Sequence, residues 1–317
     1  MHEISNGKTD CNSIFDLTII GAGPAGMTAC VYAARKKLKT ALISELIGGQ
    51  MTWTWDIENY MGYQFITGPE LSAKFEQQIT QFPITRAFEK VSRIERIDKH
   101  FRCITDTGNI YDSRAVIIAT GKQSRELGVP GEKEFRGKGV SYCAICDAPL
   151  YRGVPVAVIG CGNSGIEAAE SAAKYSSEVH VVCPVPWHAD PILTEKVKQL
   201  PSVKEHTGFM VEQINGDQYV ENIVIKNNSQ DKEVNLDVKG IFIEIGLTPN
   251  TGFCKGFVEL NNWGEIIINN RNETSIPGVF AAGDATDVPE KQIIIAAGEG
   301  AKATLSAYRY LLNSNDI

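Results

Sequence analysis

Twice along the chain a short apolar run stops at a glycine-rich turn and gives way to a segment with helical period. The first run is 15–20 (FDLTII), the turn is Gly21-Ala22-Gly23-Pro24-Ala25-Gly26, and the helical segment is MTACVYAARKK. A second apolar run at 40–44 follows and ends at Glu45. The order repeats at 154–159 (VPVAVI), with the turn Gly160-Cys161-Gly162-Asn163-Ser164-Gly165, the segment IEAAESAAK and the run 178–182. Unbroken apolar runs of this length suit strands buried on both faces, and their alternation with helices predicts a parallel α/β fold. Residues 68–81 carry an amphipathic helical pattern, and 93–105 read as strands of a meander. Residues 115–121 (AVIIATG) form a buried strand that stops in the small residues Ala119, Thr120 and Gly121. Residues 240–250 read as a strand and turn, and 275–284 (SIPGVFAAGD) as a strand ending in Gly283 and Asp284. A long closing helix is predicted over 292–312, opening at Gln292 and Ile293.

The two turns share the pattern G-x-G-x-x-G between strand and helix. Glycines at these positions let the backbone approach a pyrophosphate, which the helix N-terminus then holds. In the first unit Glu45 stands where an acid hydrogen-bonds a ribose hydroxyl, so this unit reads as a dinucleotide site. In the second unit the corresponding stretch is Cys183-Pro184-Val185-Pro186-Trp187-His188-Ala189. It holds no acid for a 2′-hydroxyl and no arginine for a 2′-phosphate. No arginine occurs between Arg152 and Arg271, which leaves Lys174, Lys196 or His188 as the alternative readers. The polar, aromatic stretch 48–60 offers Gly49, Gln50 and Asn59 to a heteroaromatic ring. Trp53 and Trp55 beside them read first as packing residues.

Composition narrows the partners. Of 317 residues, 43% are apolar and 22% charged, as in soluble globular proteins, and the net charge of −7 argues against nucleic acid or an anionic membrane. No apolar run reaches the roughly 18 residues of a membrane span. The opening residues, 1–13, lack a signal-peptide pattern and read as a loose tail, so a cytoplasmic location is expected. Only one pair of the eight cysteines has a motif spacing: Cys143 and Cys146, followed directly by Asp147. A C-x-x-C loop can form and break a small-ring disulfide, and a neighbouring carboxylate can move protons to and from sulfur. A structural or metal role is the alternative, but zinc needs further closely spaced ligands, so no metal is expected.

The motifs GAGPAG, GGQ, IENY, ATG, CAICDAP, GCGNSG and SIPGVFAAGD, in this order, resemble the low-molecular-weight thioredoxin reductase family. The C-terminal stretch KQIIIAAGEGAKATLSAYRYL is also similar to the flavoprotein subunit of alkyl hydroperoxide reductase. The resemblance implies two Rossmann-like domains of the FAD/NAD(P)-binding fold, the second inserted into the first. The FAD domain would comprise 1–117 and 249–317, and the inserted pyridine-nucleotide-type domain 118–248. It implies FAD on the first turn, with Glu45, Gln50, Asn59, Asp284, Gln292 and Ile293 nearby. It further implies that Cys146 faces the flavin, that Cys143 attacks a thioredoxin-like disulfide, that Asp147 is the acid, and that the protein is a homodimer. NADPH-dependent members carry His-Arg-Arg and a further Arg where this chain has Cys183, Pro184, Val185 and Ala189. NADPH is therefore disfavoured, NADH expected to be weak, and ferredoxin or a second flavin nucleotide considered instead. The segment after the cysteines resembles ferredoxin-dependent flavin thioredoxin reductases. A dithiol oxidase using oxygen and a redox-sensing flavoprotein without turnover are the competing functions.

Overall fold

A computed structural model of the chain describes residues 14–53, 57–227 and 229–313. The tail expected at the N-terminus and Trp55 lie outside these residues, as does the side chain of Trp53. From the N-terminus the elements run β1 (Phe15–Ala22), α1 (Pro24–Arg35) and β2 (Thr40–Ile47), then a 3-10 turn over Gly49–Trp53 and α2 (Gly68–Ile79). Pro24 opens α1, where its missing N–H costs nothing and its fixed φ suits the first turn. Next come β3 (Thr85–Ala87), β4 (Val91–Ile97), β5 (His100–Thr105) and β6 (Ile110–Ile118). The strand expected at 115 begins five residues earlier, because its first half pairs antiparallel with β5 through Phe101↔Ser113 and Cys103↔Tyr111. The chain continues through β7 (Lys122–Ser124), β8 (Val140–Ser141), α3 (Ala144–Asp147), β9 (Pro155–Ile159), α4 (Asn163–Ala173) and β10 (Glu178–Cys183). Then follow α5 (Pro191–Lys198), β11 (Val203–Thr207), β12 (Met210–Gly216), β13 (Val220–Asn227), β14 (Lys232–Asp237), β15 (Gly240–Ile243) and β16 (Leu247–Pro249). Last are β17 (Val279–Ala281) and α6 (Ile293–Asn313).

The chain divides into two units. The first comprises 1–49, 72–122 and 249–317, the second 50–71 and 123–248. In the first unit one sheet runs β3-β2-β1-β6-β5-β4, with β17 also paired to β6. β1, β2, β6 and β17 are parallel, and Leu17, Ile19, Ile117 and Phe280 are wholly or almost wholly buried. In the second unit a parallel sheet runs β11-β10-β9-β15-β8, beside an antiparallel sheet β12-β13-β14. Val156, Val158, Val179, Val181 and Phe242 are buried in it. β7 and β16 pair with each other. Among the described residues no helix is long and apolar enough to cross a membrane.

Close backbone approach shapes the first unit. A side chain on Gly26 would collide with the Gly21 carbonyl, and one on Gly300 of α6 would collide with the Ala25 carbonyl of α1. Thr304, one turn on, donates to the Ala29 carbonyl at 3.2 Å. The small-residue face of α6 thus lets the two helices meet backbone to backbone. Gly300→Ala improves helix propensity by about 1 kcal/mol, but the obstacle is a main-chain oxygen that cannot rotate away. The substitution is expected to cost about 1–3 kcal/mol net, read as a lower urea midpoint at unchanged slope.

Candidate active site

β8 delivers the chain to Cys143, which caps α3 from an extended conformation. Cys146 and Asp147 both donate their N–H groups to the Cys143 carbonyl, at 3.2 and 3.1 Å, closing the turn. Cys143 and Cys146 are joined by a disulfide with Cα atoms 5.3 Å apart. Ser141, buried at the end of β8, ties this turn to the acid. Its hydroxyl donates to Asp147 Oδ2 at 2.6 Å and accepts the Cys143 N–H at 3.0 Å. Tyr142 donates to Glu132 at 2.8 Å and lies under the Arg136 guanidinium, 4.9 Å from the ring centre. Burial, with the Glu132 carboxylate, pushes its phenol up to about 12. Ile145, between the cysteines, is 68% exposed, and Leu150 is 47% exposed. The disulfide turn and the short segment after it thus each carry an apolar side chain that faces solvent.

In the first unit three expected segments converge. Gly21 (φ 101°) lies against the Ala119 carbonyl. Thr120 and Asn250 exchange hydrogen bonds of 2.8 and 3.0 Å, and Asn250 N–H donates to the Gly121 carbonyl at 3.0 Å. Gly283 (φ 73°) approaches Ala25 so closely that a side chain there would lie 3.0 Å from the Ala25 Cβ. A side chain on Gly23 would meet no protein atom within 4 Å, and Gly49 backs onto Gly23. The turn is thus closed behind, where Gly26 meets Gly21, and open in front, which is what a pyrophosphate requires. Glu45 lines an open groove of about 460 Å³ with exposed Leu46 and Phe88. Asp284 follows β17 in a short 3-10 turn, and burial raises its carboxyl above the ordinary range, opposed by Lys291 and Lys122. These residues fit FAD: the turn and Pro24–Ala25 would hold the diphosphate, Glu45 a ribose, and Asp284 a chain of hydroxyls. Gln292 and Ile293 stand at the start of α6. Gln50 and Asn59 belong to the second unit, Asn59 in a loop closed by reciprocal Ile57–Ile66 backbone bonds of 2.9 and 3.1 Å.

The charged neighbours of Asp284 escaped the sequence reading. Lys122, 9% exposed, pairs with Glu265 at 2.5 Å, and Lys291 reaches the same oxygen at 3.3 Å. These three residues are scattered along the chain, and a lysine next to a glycine carries no pattern that marks it as buried. Lys291, adjacent to Gln292, was the nearest available signal.

The second turn repeats the first. Gly160 has φ 148°, and a side chain on Gly165 would lie 2.5 Å from the Gly160 carbonyl oxygen. Asn163 and Ser164 open α4 and are exposed. The loop after β10 is laced onto this turn. His188 N–H donates to the Cys161 carbonyl at 2.9 Å, and Asp190 N–H to Asn163 Oδ1 at 2.8 Å. The His188 ring lies 3.5 Å from where a Gly162 side chain would start. Of the alternative readers, Lys196 is paired with Glu170 at 2.7 Å. Burial, with the neighbouring Cys161 thiol, pushes Cys183 well above the ordinary thiol range. Among the described residues no cluster of ligands could hold a metal.

A family model described as pyridine nucleotide-disulphide oxidoreductase matches residues 15–300. The chain belongs to this family. It is 41% identical over 315 residues to an alkyl hydroperoxide reductase component of Pseudomonas aeruginosa, covering 97% of this chain and 60% of that protein. It is 41% identical over 302 residues to an NADH dehydrogenase of Bacillus subtilis, covering 95% and 59%. The chain therefore spans about three fifths of the length of these curated relatives. Among solved structures, thioredoxin reductase from Streptococcus pyogenes superposes with a TM-score of 0.91 at 38% identity, covering 95% of this chain and 99% of that one. Thioredoxin reductase from Giardia duodenalis gives 0.88 at 33% identity, covering 94% and 99%. These likenesses bear out the resemblance to low-molecular-weight thioredoxin reductases and the two-unit Rossmann-like α/β fold. The family and the thioredoxin reductase neighbours support a flavin-dependent oxidoreductase, with FAD as the flavin.

Five described cysteines outside the turn are buried: Cys30, Cys103, Cys161, Cys183 and Cys254. Burial pushes Cys103 up to about 12 and Cys254 up to about 11, so neither supplies thiolate at neutral pH. Mild reduction of the native protein is expected to expose two additional thiols to an aromatic disulfide reagent, mapped to Cys143 and Cys146 by mass spectrometry. The five buried thiols should react only on unfolding. No gain on reduction would contradict this assignment.

Proposed function

We propose that this protein is a disulfide reductase that passes two electrons through Cys143 and Cys146 to a thioredoxin-like protein, from a donor other than NADPH. The observation that carries the reading is the Cys143–Cys146 disulfide, followed by Asp147 and held to it through Ser141. When bound, FAD supplies a two-electron carrier. The FAD domain is assigned to 1–117 with 249–317, and the inserted domain to 118–248. In this scheme Cys146 faces the flavin and Cys143 attacks the partner disulfide. Two sulfurs are needed, one to attack and one to resolve the mixed disulfide. Asp147 gives a proton to the departing sulfur, with Ser141 holding its carboxylate in place. The exposed Ile145 and Leu150 offer the partner an apolar seat beside the reacting bond. The thioredoxin reductase neighbours favour this reading over an oxygen-linked oxidase or a sensor without turnover, and a homodimer accompanies it.

The reading of the donor rests on the second turn. An arginine clamp on a 2′-phosphate contributes charge-assisted bonds worth about 1.5–3 kcal/mol each. Cys183, Pro184, Val185 and Ala189 supply none, and Pro184 and Pro186 also withdraw backbone donors from that loop. Lys196 is engaged by Glu170, which weakens it as a substitute. Reduced ferredoxin is the first candidate, NADH a weak one, and a second flavin nucleotide on Gly160–Gly165 the next.

Cys143→Ser and Cys146→Ser are each expected to abolish reduction of a thioredoxin disulfide; substantial turnover in either would remove the dithiol from the mechanism. Asp147→Asn should slow turnover by about 10²–10⁴-fold, with a near-normal rate reassigning it to structure. Anaerobic stopped-flow mixing should show slow, incomplete flavin bleaching by NADPH and fast bleaching by reduced ferredoxin. Complete bleaching within milliseconds at micromolar NADPH would restore the ordinary nicotinamide donor.

A further inference from the structure

Glu244 has no part in the reaction described so far. It lies one position beyond β15, where its N–H donates to the Ile159 carbonyl at 2.8 Å. Ile159 leads directly into the second glycine turn, and a side chain on Gly160 would collide with the Glu244 carbonyl. The Glu244 carboxylate reaches the other way: Oε1 accepts the Ala144 N–H at 3.3 Å. Ala144 follows Cys143 and precedes Cys146 by two positions. One residue thus forms a wall of the nucleotide turn with its backbone and holds the dithiol turn with its side chain.

The charges facing this carboxyl are all of one sign. β9 and β8, the strands on either side of β15, carry no ionisable side chain. α4 presents Glu167, and the turn that carries the two cysteines presents the Ala144 N–H. Among the described residues no lysine or arginine acts on it. Burial, only partly opposed by the Ala144 N–H and reinforced by Glu167, pushes Glu244 up to about 7. Reduction of the neighbouring disulfide would place further negative charge beside the same N–H, and like charge favours the neutral carboxyl.

We propose that Glu244 is a positioning residue for the dithiol that takes up a proton when the Cys143–Cys146 bond is reduced and returns it when the bond re-forms. This rests on the reductase reading above. The step balances. Two electrons, delivered from the reduced flavin, break the S–S bond and leave two negative charges on sulfur. One proton from solvent neutralises one sulfur, and a second is taken by the Glu244 carboxylate. When the electrons pass to the partner disulfide, the S–S bond re-forms and both protons leave. Glu244 thereby keeps the net charge of the pocket unchanged through the cycle and keeps the remaining thiolate from facing a carboxylate.

The test is a redox titration of the Cys143–Cys146 couple in the full flavoprotein against dithiothreitol buffers across pH, read by alkylation and mass spectrometry, for wild type, Glu244→Gln and Glu167→Gln. Between about pH 7 and the higher pH at which Glu244 ionises in the reduced protein, the wild type should take up one more proton per two electrons than Glu244→Gln. Its equilibrium constant should change by an additional factor of ten per pH unit, about 30 mV for a two-electron couple. Glu167 is exposed, so Glu167→Gln should fold normally and move the break to lower pH even if Glu244→Gln does not fold. Parallel curves for wild type and Glu244→Gln, or an unmoved break in Glu167→Gln, would overturn the role of Glu244 alone. A Cys143–Cys146 bond that cannot be cycled at all would remove the reductase reading itself, and Glu244 with it.

Discussion

Two backbone hydrogen bonds hold the first unit's site together. Ala119 N–H donates to the Ile20 carbonyl at 2.8 Å, and Ala282 N–H to the Ile118 carbonyl at 2.9 Å. They extend the parallel ladder one residue past the ends of β6 and β17. The residues that follow, Thr120 and Gly283, therefore leave the sheet at one edge, beside the glycine turn that begins at Gly21. Small residues are required there because the three segments cross at main-chain distance, as the contacts of Gly21 with Ala119 and of Gly283 with Ala25 show. Ligands of open α/β sheets bind beyond the carboxyl ends of the strands, and this edge is where the first unit provides that opening.

The second unit builds the same edge with the same device. Gly160 N–H donates to the Val182 carbonyl at 3.2 Å, and Glu244 N–H to the Ile159 carbonyl at 2.8 Å. What differs is the loop beyond β10. Its backbone bonds to Cys161 and Asn163 bring His188 against the turn, while Cys183 is withdrawn into the core. The turn keeps its shape because shape depends on glycine and the ladder. Selectivity depends on side chains at the next strand end, and here those are Cys183, Pro184, Val185, Pro186 and Trp187.

The charge arrangements in the two units also contrast. Asp284 is half-buried near two lysines, both paired with Glu265, so its environment is close to neutral overall. Glu244 is partly buried, with the Ala144 N–H as its donor and Glu167 as the charge acting on it. The first arrangement favours a fixed ionisation state, the second one that responds to charge nearby.

Most of the fold was legible in the sequence. Buried parallel strands leave unbroken apolar runs, glycines that meet backbone recur at fixed spacing, and a C-x-x-C pair announces itself; each is a local pattern with a local cause. The same locality made the missing arginines readable, since the reader lies at a known offset from its turn. Tertiary structure alone decided the rest. The antiparallel half of β6 depends on β5, a partner pairing that no run within the strand reveals. Lys122, Glu265 and Lys291 meet around Asp284 only because β6, β17 and the segments between them close on one another. Ser141 becomes a clamp for Asp147, and Glu244 a neighbour of Ala144, because β8 and β15 pair in parallel although a hundred residues apart. Burial and charge at these positions are sums over distant segments, and a sum of that kind leaves no mark on the residues beside it in sequence.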